Sequence, residues 1–148
     1  MVDITFGKKI DGVTYLTRTG AYLIAFDNNL LACIRTSGRY FLIGGGIEEP
    51  ETHTECILRE CLEETGYAAD VQTYIGCAEE ARFYPGYGYF HLIQFYYSGR
   101  LLKKQLEPVE PDHGLARIAP DEIDEKLYIE AQRWAVKTYL QQKAERSG

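Results

Sequence analysis

The chain has 148 residues, 45% of them hydrophobic and 26% charged, and a net charge of −6. This is ordinary for one globular domain with a real core, and an acidic balance with no basic stripe excludes a general nucleic-acid binder. There is no apolar run of transmembrane length and the opening stretch MVDITFGKKIDG lacks the apolar core of a signal peptide, so no membrane partner and a cytoplasmic location are expected.

In chain order, residues 13–18 alternate and predict a strand, and residues 21–26, AYLIAF, predict a more apolar central one. Asp27, Asn28 and Asn29 form a turn cluster that returns the chain through residues 30–35 as a hairpin. Ser37 and Gly38 turn it again into a short strand over residues 40–43. Gly44, Gly45 and Gly46 then allow backbone shapes that a side chain would forbid, and taken alone they read as a loop hinge. Next comes a helix with both ends marked: Thr52 and Glu55 make a capping box, and Gly66 sits where a left-handed C-cap belongs. Ile57, Leu58, Cys61 and Leu62 predict its buried face, while Glu60, Glu63 and Glu64 fall on another.

Residues 70–78 predict a strand that runs on toward Phe83. Pro85 and Gly86 turn the chain, and residues 87–98, YGYFHLIQFYYS, pair back. Residues 105–114, with Pro108 and Pro111, read as an irregular loop before a last short strand over residues 115–118. Pro120 opens a brief helix, and a closing helix runs from about Ile129 to about Lys143. Ala131, Trp134, Ala135, Thr138 and Tyr139 form its inward face, and the polar tail from Gln141 is expected to fray. Strands, a helix, more strands and a closing helix make an α/β layered fold in one domain, residues 1–148. Cys33, Cys56, Cys61 and Cys77 form no C-x-x-C pair and are expected to be reduced and mostly buried.

The acidic face of the first helix is the informative stretch. Carboxylates at i, i+3 and i+4 repel one another by a few tenths of a kcal/mol per pair. A divalent cation held by hard oxygen ligands, Mg²⁺ or Mn²⁺, would give that clustering a purpose, and on spacing alone a solvated acidic face is the alternative. The residue order goes further. Gly45, then Glu51, then Arg59-Glu60-Cys61-Leu62-Glu63-Glu64-Thr65-Gly66-Tyr67 resembles the Nudix box, G-x5-E-x7-R-E-U-x-E-E-x-G-U, with every fixed letter matched over residues 45–67 and with Cys61 and Tyr67 in the two bulky apolar slots. Ile43 and Pro50 depart from the usual flanking Pro and Gly.

The resemblance implies the Nudix fold, a mixed, curved β-sheet sandwiched between α-helices with a loop–helix–loop catalytic motif. It implies a Mg²⁺- or Mn²⁺-dependent hydrolase that cleaves the pyrophosphate linkage of a nucleoside diphosphate derivative: a nucleoside triphosphate, a dinucleoside polyphosphate or a nucleotide sugar. Glu60 and Glu64 would be the principal metal ligands, with the carbonyl of Gly44, and Glu63 would be a ligand or hold a water beside the metal. Arg59 would brace Glu60 and Glu51. The base that takes the water proton would lie on this helix or on a distant loop, where Glu107, Glu110 and especially Asp112, next to His113, are candidates. Arg35 resembles the family's phosphate-facing strand arginine, with Arg39 nearby and Arg18 and Arg82 as weaker candidates. Tyr84 stands near the marker tyrosine of dinucleoside polyphosphate hydrolases and Pro85 near the marker proline of ADP-ribose hydrolases. The expected partner is a small nucleotide, with no nucleic acid and with a homodimer left open. The alternative function is a Nudix-fold sensor that binds nucleotide without cleaving it. An isoprenyl diphosphate isomerase would want a second His and Glu cluster, which the three scattered His do not supply.

Overall fold

The computed structural model describes residues 1–105 and 114–147. Glu107, Glu110, Asp112 and His113 lie outside the described residues.

A short strand, β1 (Ile4–Phe6), precedes a long one, β2 (Leu16–Asp27), which joins most of the two separate strands expected over residues 13–26. The join is Gly20. A Cβ there would lie 2.7 Å from the carbonyl oxygen of Gly45, so only glycine lets β5 (Ile43–Gly46) pack flat against β2. Asn28 and Asn29 both take positive φ, 52° and 62°, as a two-residue hairpin into β3 (Leu30–Thr36) demands. Ser37 and Gly38 repeat the device, at φ 52° and 74°, into β4 (Arg39–Phe41). The glycine triplet is strand rather than hinge: Gly44, Gly45 and Gly46 pair antiparallel with Tyr22, Ala21 and Gly20. After the helix α1 (His53–Thr65), the chain forms the long antiparallel pair β6 (Tyr67–Tyr84) and β7 (Gly88–Lys104). β8 (Gly114–Ile118), a 3₁₀ turn (Pro120–Glu122), the one-turn helix α2 (Ile123–Lys126) and α3 (Glu130–Ser147) follow.

β1 pairs parallel with β6 and β7 parallel with β2, giving a mixed sheet in the order β1-β6-β7-β2-β5. The far end of β2 leaves it to pair with β3, which carries β4 and β8 on its sides. Period-two alternation along β2 then loads two cores. Ala21, Leu23 and Ala25 pack with Cys56, Ile57 and Cys61 of α1. Tyr22, Ile24 and Phe26 face the other way, toward Ala131, Ala135 and Val136 of α3. The sheet is therefore sandwiched between helices, as expected.

Both helices correct the expected detail. On α1, Leu58 is 38% exposed and Leu62 only partly covered, while Cys56 and Glu64 are buried. The face in contact is rotated toward Cys56 and Thr65, because α1 must sit on β5 and β2 as well as β6. On α3 the buried residues are Ala131, Gln132, Ala135 and Val136, with Trp134, Thr138 and Tyr139 at its margins, and the helix continues through residue 147 instead of fraying from 141. All four cysteines are free and buried. No helix among the described residues is long and apolar enough to cross a membrane.

Candidate active site

The start of α1 is built as its sequence demands. Thr52 accepts from the N–H of Glu55 at 3.1 Å, and Glu55 accepts from the N–H of Thr52 at 2.7 Å. At the other end Gly66, at φ 79°, donates its N–H to the carbonyl of Leu62. Fixed at both ends, the helix presents Arg59 to a ring of acids. Its guanidinium donates to Glu51 at 2.7 Å, to Glu60 at 2.7 Å and to the carbonyl of Gly46 at 3.0 Å, and it approaches Glu63 at 3.4 Å and Glu48 at 3.7 Å. The hydrogen bond from Arg59, then the one from the backbone of Glu48, hold the Glu51 carboxyl down at about 2. In return the hydrogen bonds to Glu51 first and then to Glu60 raise the Arg59 pKa further, so this cation is permanent.

The glycines of β5 receive the carboxylates. Glu64, 7% exposed, accepts from the N–H of Gly44 at 3.0 Å. The Glu60 Oε2 atom lies 2.1 Å from where a Cβ on Gly45 would sit, so the cradle exists only because residue 45 has no side chain. Cys56 donates its thiol to the carbonyls of Gly45 and Gly46, at 3.3 and 3.5 Å, and burial, reinforced by the Glu51 charge, pushes it up to about 11. It braces β5 as a neutral thiol and is no nucleophile. The three glutamates thus do not share one exposed face: Glu64 turns inward, Glu60 is enclosed between Arg59 and Gly45, and Glu63 is the most open, its side chain 36% exposed. Among the described residues no three His, Cys, Asp or Glu side chains already stand together as a closed metal cage. The donor set still fits a hard divalent cation in kind, because two carboxylates meet adjacent residues of one strand and every donor is oxygen.

Beside Glu64 and Gly44 opens a cavity of about 620 Å³. Aromatic rings from five segments wall it: Tyr22, Phe41, Tyr84, Phe90 and Tyr128. Burial first, then the charge of Glu64, raises the Tyr22 phenol, which therefore stays neutral beside the acids. Arg18 and Arg39 also line the space, and the Arg39 guanidinium lies 4.3 Å from the centre of the Tyr128 ring.

The structure thus brings together Gly44, Glu64, Arg39 and Tyr84 around one cavity, with Glu60 and Arg59 behind its edge. Tyr84 contributes its ring only, since its hydroxyl is donated to the buried Glu80. Arg35 is not brought there; it is exposed and stacks over Tyr40 at 5.9 Å. Arg82 is committed to Glu80 and Glu130. His91 sits between Thr17 and Glu79, each at 3.5 Å, away from the cavity lining. Sequence reasoning missed Tyr128, Gln132 and Gln94. Gln94 left a trace: it is the one amide in the alternating series Phe90, Leu92, Gln94, Tyr96, which faces inward throughout.

A family model for the NUDIX domain matches residues 15–139. Among solved structures, a NUDIX hydrolase from Nitrosomonas europaea is similar at a TM-score of 0.74 and 16% identity, covering 86% of this chain and 90% of that one. A MutT NUDIX hydrolase from Burkholderia pseudomallei is similar at 0.68 and 22%, covering 82% and 97%. A UDP-X diphosphatase is similar at 0.58 and 25%, covering 88% and 65%. No curated protein matches. With the family model spanning every strand but β1, the capped helix and the first half of α3, the chain belongs to the NUDIX domain family of hydrolases.

Proposed function

We propose that the protein is a divalent-metal-dependent pyrophosphohydrolase that cuts the diphosphate linkage of a nucleoside diphosphate derivative. One observation carries the reading: a single capped helix delivers the carboxylates of Glu60 and Glu64 to adjacent glycines at the edge of an aromatic-walled cavity that also holds two arginines. Diphosphate hydrolysis is slow because anionic oxygens repel an attacking water, and a bound Mg²⁺ or Mn²⁺ offsets that charge and orients the leaving group. Glu60, Glu64 and the carbonyl of Gly44 would hold the ion, with Glu63 as a further ligand or as the holder of a water. Arg59 keeps Glu60 in place through its hydrogen bond at 2.7 Å. Arg39 and Arg18, which line the cavity, would bind the remaining phosphate charge, and the rings of Tyr84, Phe90 and Tyr128 would stack a base. A carboxylate must take the water proton. Asp112, outside the described residues, is the loop candidate for that step.

The likeness to a UDP-X diphosphatase supports a nucleotide linked through a diphosphate to a second moiety. The test is a panel of nucleoside triphosphates, dinucleoside polyphosphates and nucleotide sugars with Mg²⁺ or Mn²⁺, with and without chelator, in ¹⁸O-labelled water. Metal-dependent release of phosphate or pyrophosphate, with the label on one phosphorus, is expected. Binding of nucleotides with no turnover of any panel member would convert the reading to a sensor.

A further inference from the structure

The wall of the cavity contains a directed chain of amides. The backbone N–H of Leu42 donates to the Oε1 atom of Gln132 at 2.8 Å. A backbone N–H can only donate, so this bond fixes which end of the Gln132 amide is oxygen. Gln132 Nε2 then donates to the Oε1 of Gln94 at 3.2 Å, and the Tyr96 hydroxyl donates to the same atom at 2.7 Å. Gln94 is 4% exposed and Gln132 1% exposed, and both line the cavity. The polarity of the chain therefore runs from the backbone outward and ends on the NH₂ group of Gln94, which has no hydrogen-bond partner among the described residues.

A buried donor without an acceptor is disfavoured, so native structures rarely leave one unless something else supplies the acceptor. Both lone pairs of the Gln94 oxygen are taken, one by Gln132 and one by Tyr96. What Gln94 turns to the cavity is donor only. A planar ring entering beside Phe90 and Tyr128 would meet the Gln94 N–H groups at this wall. An oxo group on the ring pairs with that surface; an exocyclic amino group would set donor against donor.

We propose that Gln94 is the specificity-determining residue for the base, and that it selects a nucleotide whose six-membered ring carries an oxo group at the position where other bases carry an amine. This deepens the hydrolase reading and rests on it for the identity of the ligand as a nucleotide. Gln132 is the positioning residue, because it holds the Gln94 oxygen and so points its nitrogen away.

The test is calorimetric binding of nucleoside 5′-monophosphates to the full chain without metal, in pairs that differ at this position: inosine against adenosine, uridine against cytidine. The oxo member of at least one pair binds at least about tenfold more tightly, the margin one buried hydrogen bond supports. Gln94→Glu, which turns an acceptor to the ring, shrinks or inverts that ratio, and Gln94→Met brings it toward one by weakening the oxo member alone. Equal binding within both pairs, no binding of any of the four, or a ratio unchanged in the folded Gln94→Glu and Gln94→Met chains overturns the proposal. If neither variant folds, the wild-type ratios decide. Because no turnover is measured, a chain that discriminates the bases but cleaves nothing leaves this assignment standing and removes the hydrolase reading instead.

Discussion

Arg59 grips Glu51 with two hydrogen bonds, Nε to Oε2 at 3.1 Å and Nη2 to Oε1 at 2.7 Å, and spends its remaining nitrogen on Glu60 at 2.7 Å. The residue before the helix cap and a residue on the second turn are thus locked to one planar cation. A lysine keeps the charge but cannot fork. Arg59→Lys is expected to lower kcat/KM by about tenfold, as loss of an outer partner of a metal ligand does, with the fold intact by circular dichroism. Wild-type kinetics in this variant would show that the fork is ornamental.

Glu60→Gln and Glu64→Gln test the two proposed metal ligands. Each should reduce turnover by at least about a hundredfold, while the melting temperature of the metal-free chain changes little. The stabilisation that Mg²⁺ or Mn²⁺ gives the wild type, read as a rise in melting temperature with metal concentration, should shrink in both. If either variant keeps the full metal-induced rise, that residue is not a ligand.

Two neighbouring glycines should fail in different ways. In Gly45→Ala the new methyl would fall 2.1 Å from a carboxylate oxygen at the end of the flexible Glu60 side chain, which can swing aside. Folding survives, and activity and metal affinity drop by roughly tenfold or more as Glu60 leaves its place. In Gly44→Ala the methyl meets the backbone of Ala21 and Tyr22, at 2.3 and 2.7 Å, from a φ of 147°. Nothing there can swing, so the expected loss is in stability, on the order of 2 kcal/mol or more by denaturant melting.

Acid should find Glu51 late. Its carboxyl titrates at about 2 in the folded chain against an ordinary 4.5, chiefly because Arg59 donates to it. A carboxyl depressed by folding contributes stability that is fully present above the ordinary value and is lost as pH falls through the folded one. In a series of melts between pH 4.5 and pH 2, the wild type should lose stability more steeply than Glu51→Gln. Parallel curves would show that the pair adds nothing.

What the sequence made legible was local. The asparagine turn, the Ser37-Gly38 turn, the capping box and the Gly66 cap each depend on residues within a few positions, and each is present. So is the order of most later strands and helices, which periodicity sets, whereas the three-residue β1 was too short to show a period. What stayed hidden was set by partners far along the chain. Gly44 to Gly46 look like a hinge until β2 pairs with them. Glu64 looks solvent-facing until the N–H of Gly44, twenty residues earlier, gives its carboxylate a buried partner. Helical spacing cannot show which way Arg35 and Arg39 point, because sheet register decides it: Arg35 pairs opposite Tyr40 and lies over that ring, outside the cavity lining that holds Arg39. The Gln132–Gln94 bond spans 38 positions and leaves no spacing signature at all.

β2 hands odd-numbered side chains to the α1 core and even-numbered ones to the α3 core. Its length therefore obeys a parity rule. One residue inserted between Gly20 and Ala21 would carry Tyr22 from the wall of the cavity to the underside of α1, and Ala21 from that packed layer to the cavity wall, exchanging inside for inside at every later position. Neither layer could relieve the other, since both are closed by a helix. Lengthening the chain is tolerable only at bends that belong to neither layer, such as the exposed turn at Pro85 and Gly86 between β6 and β7.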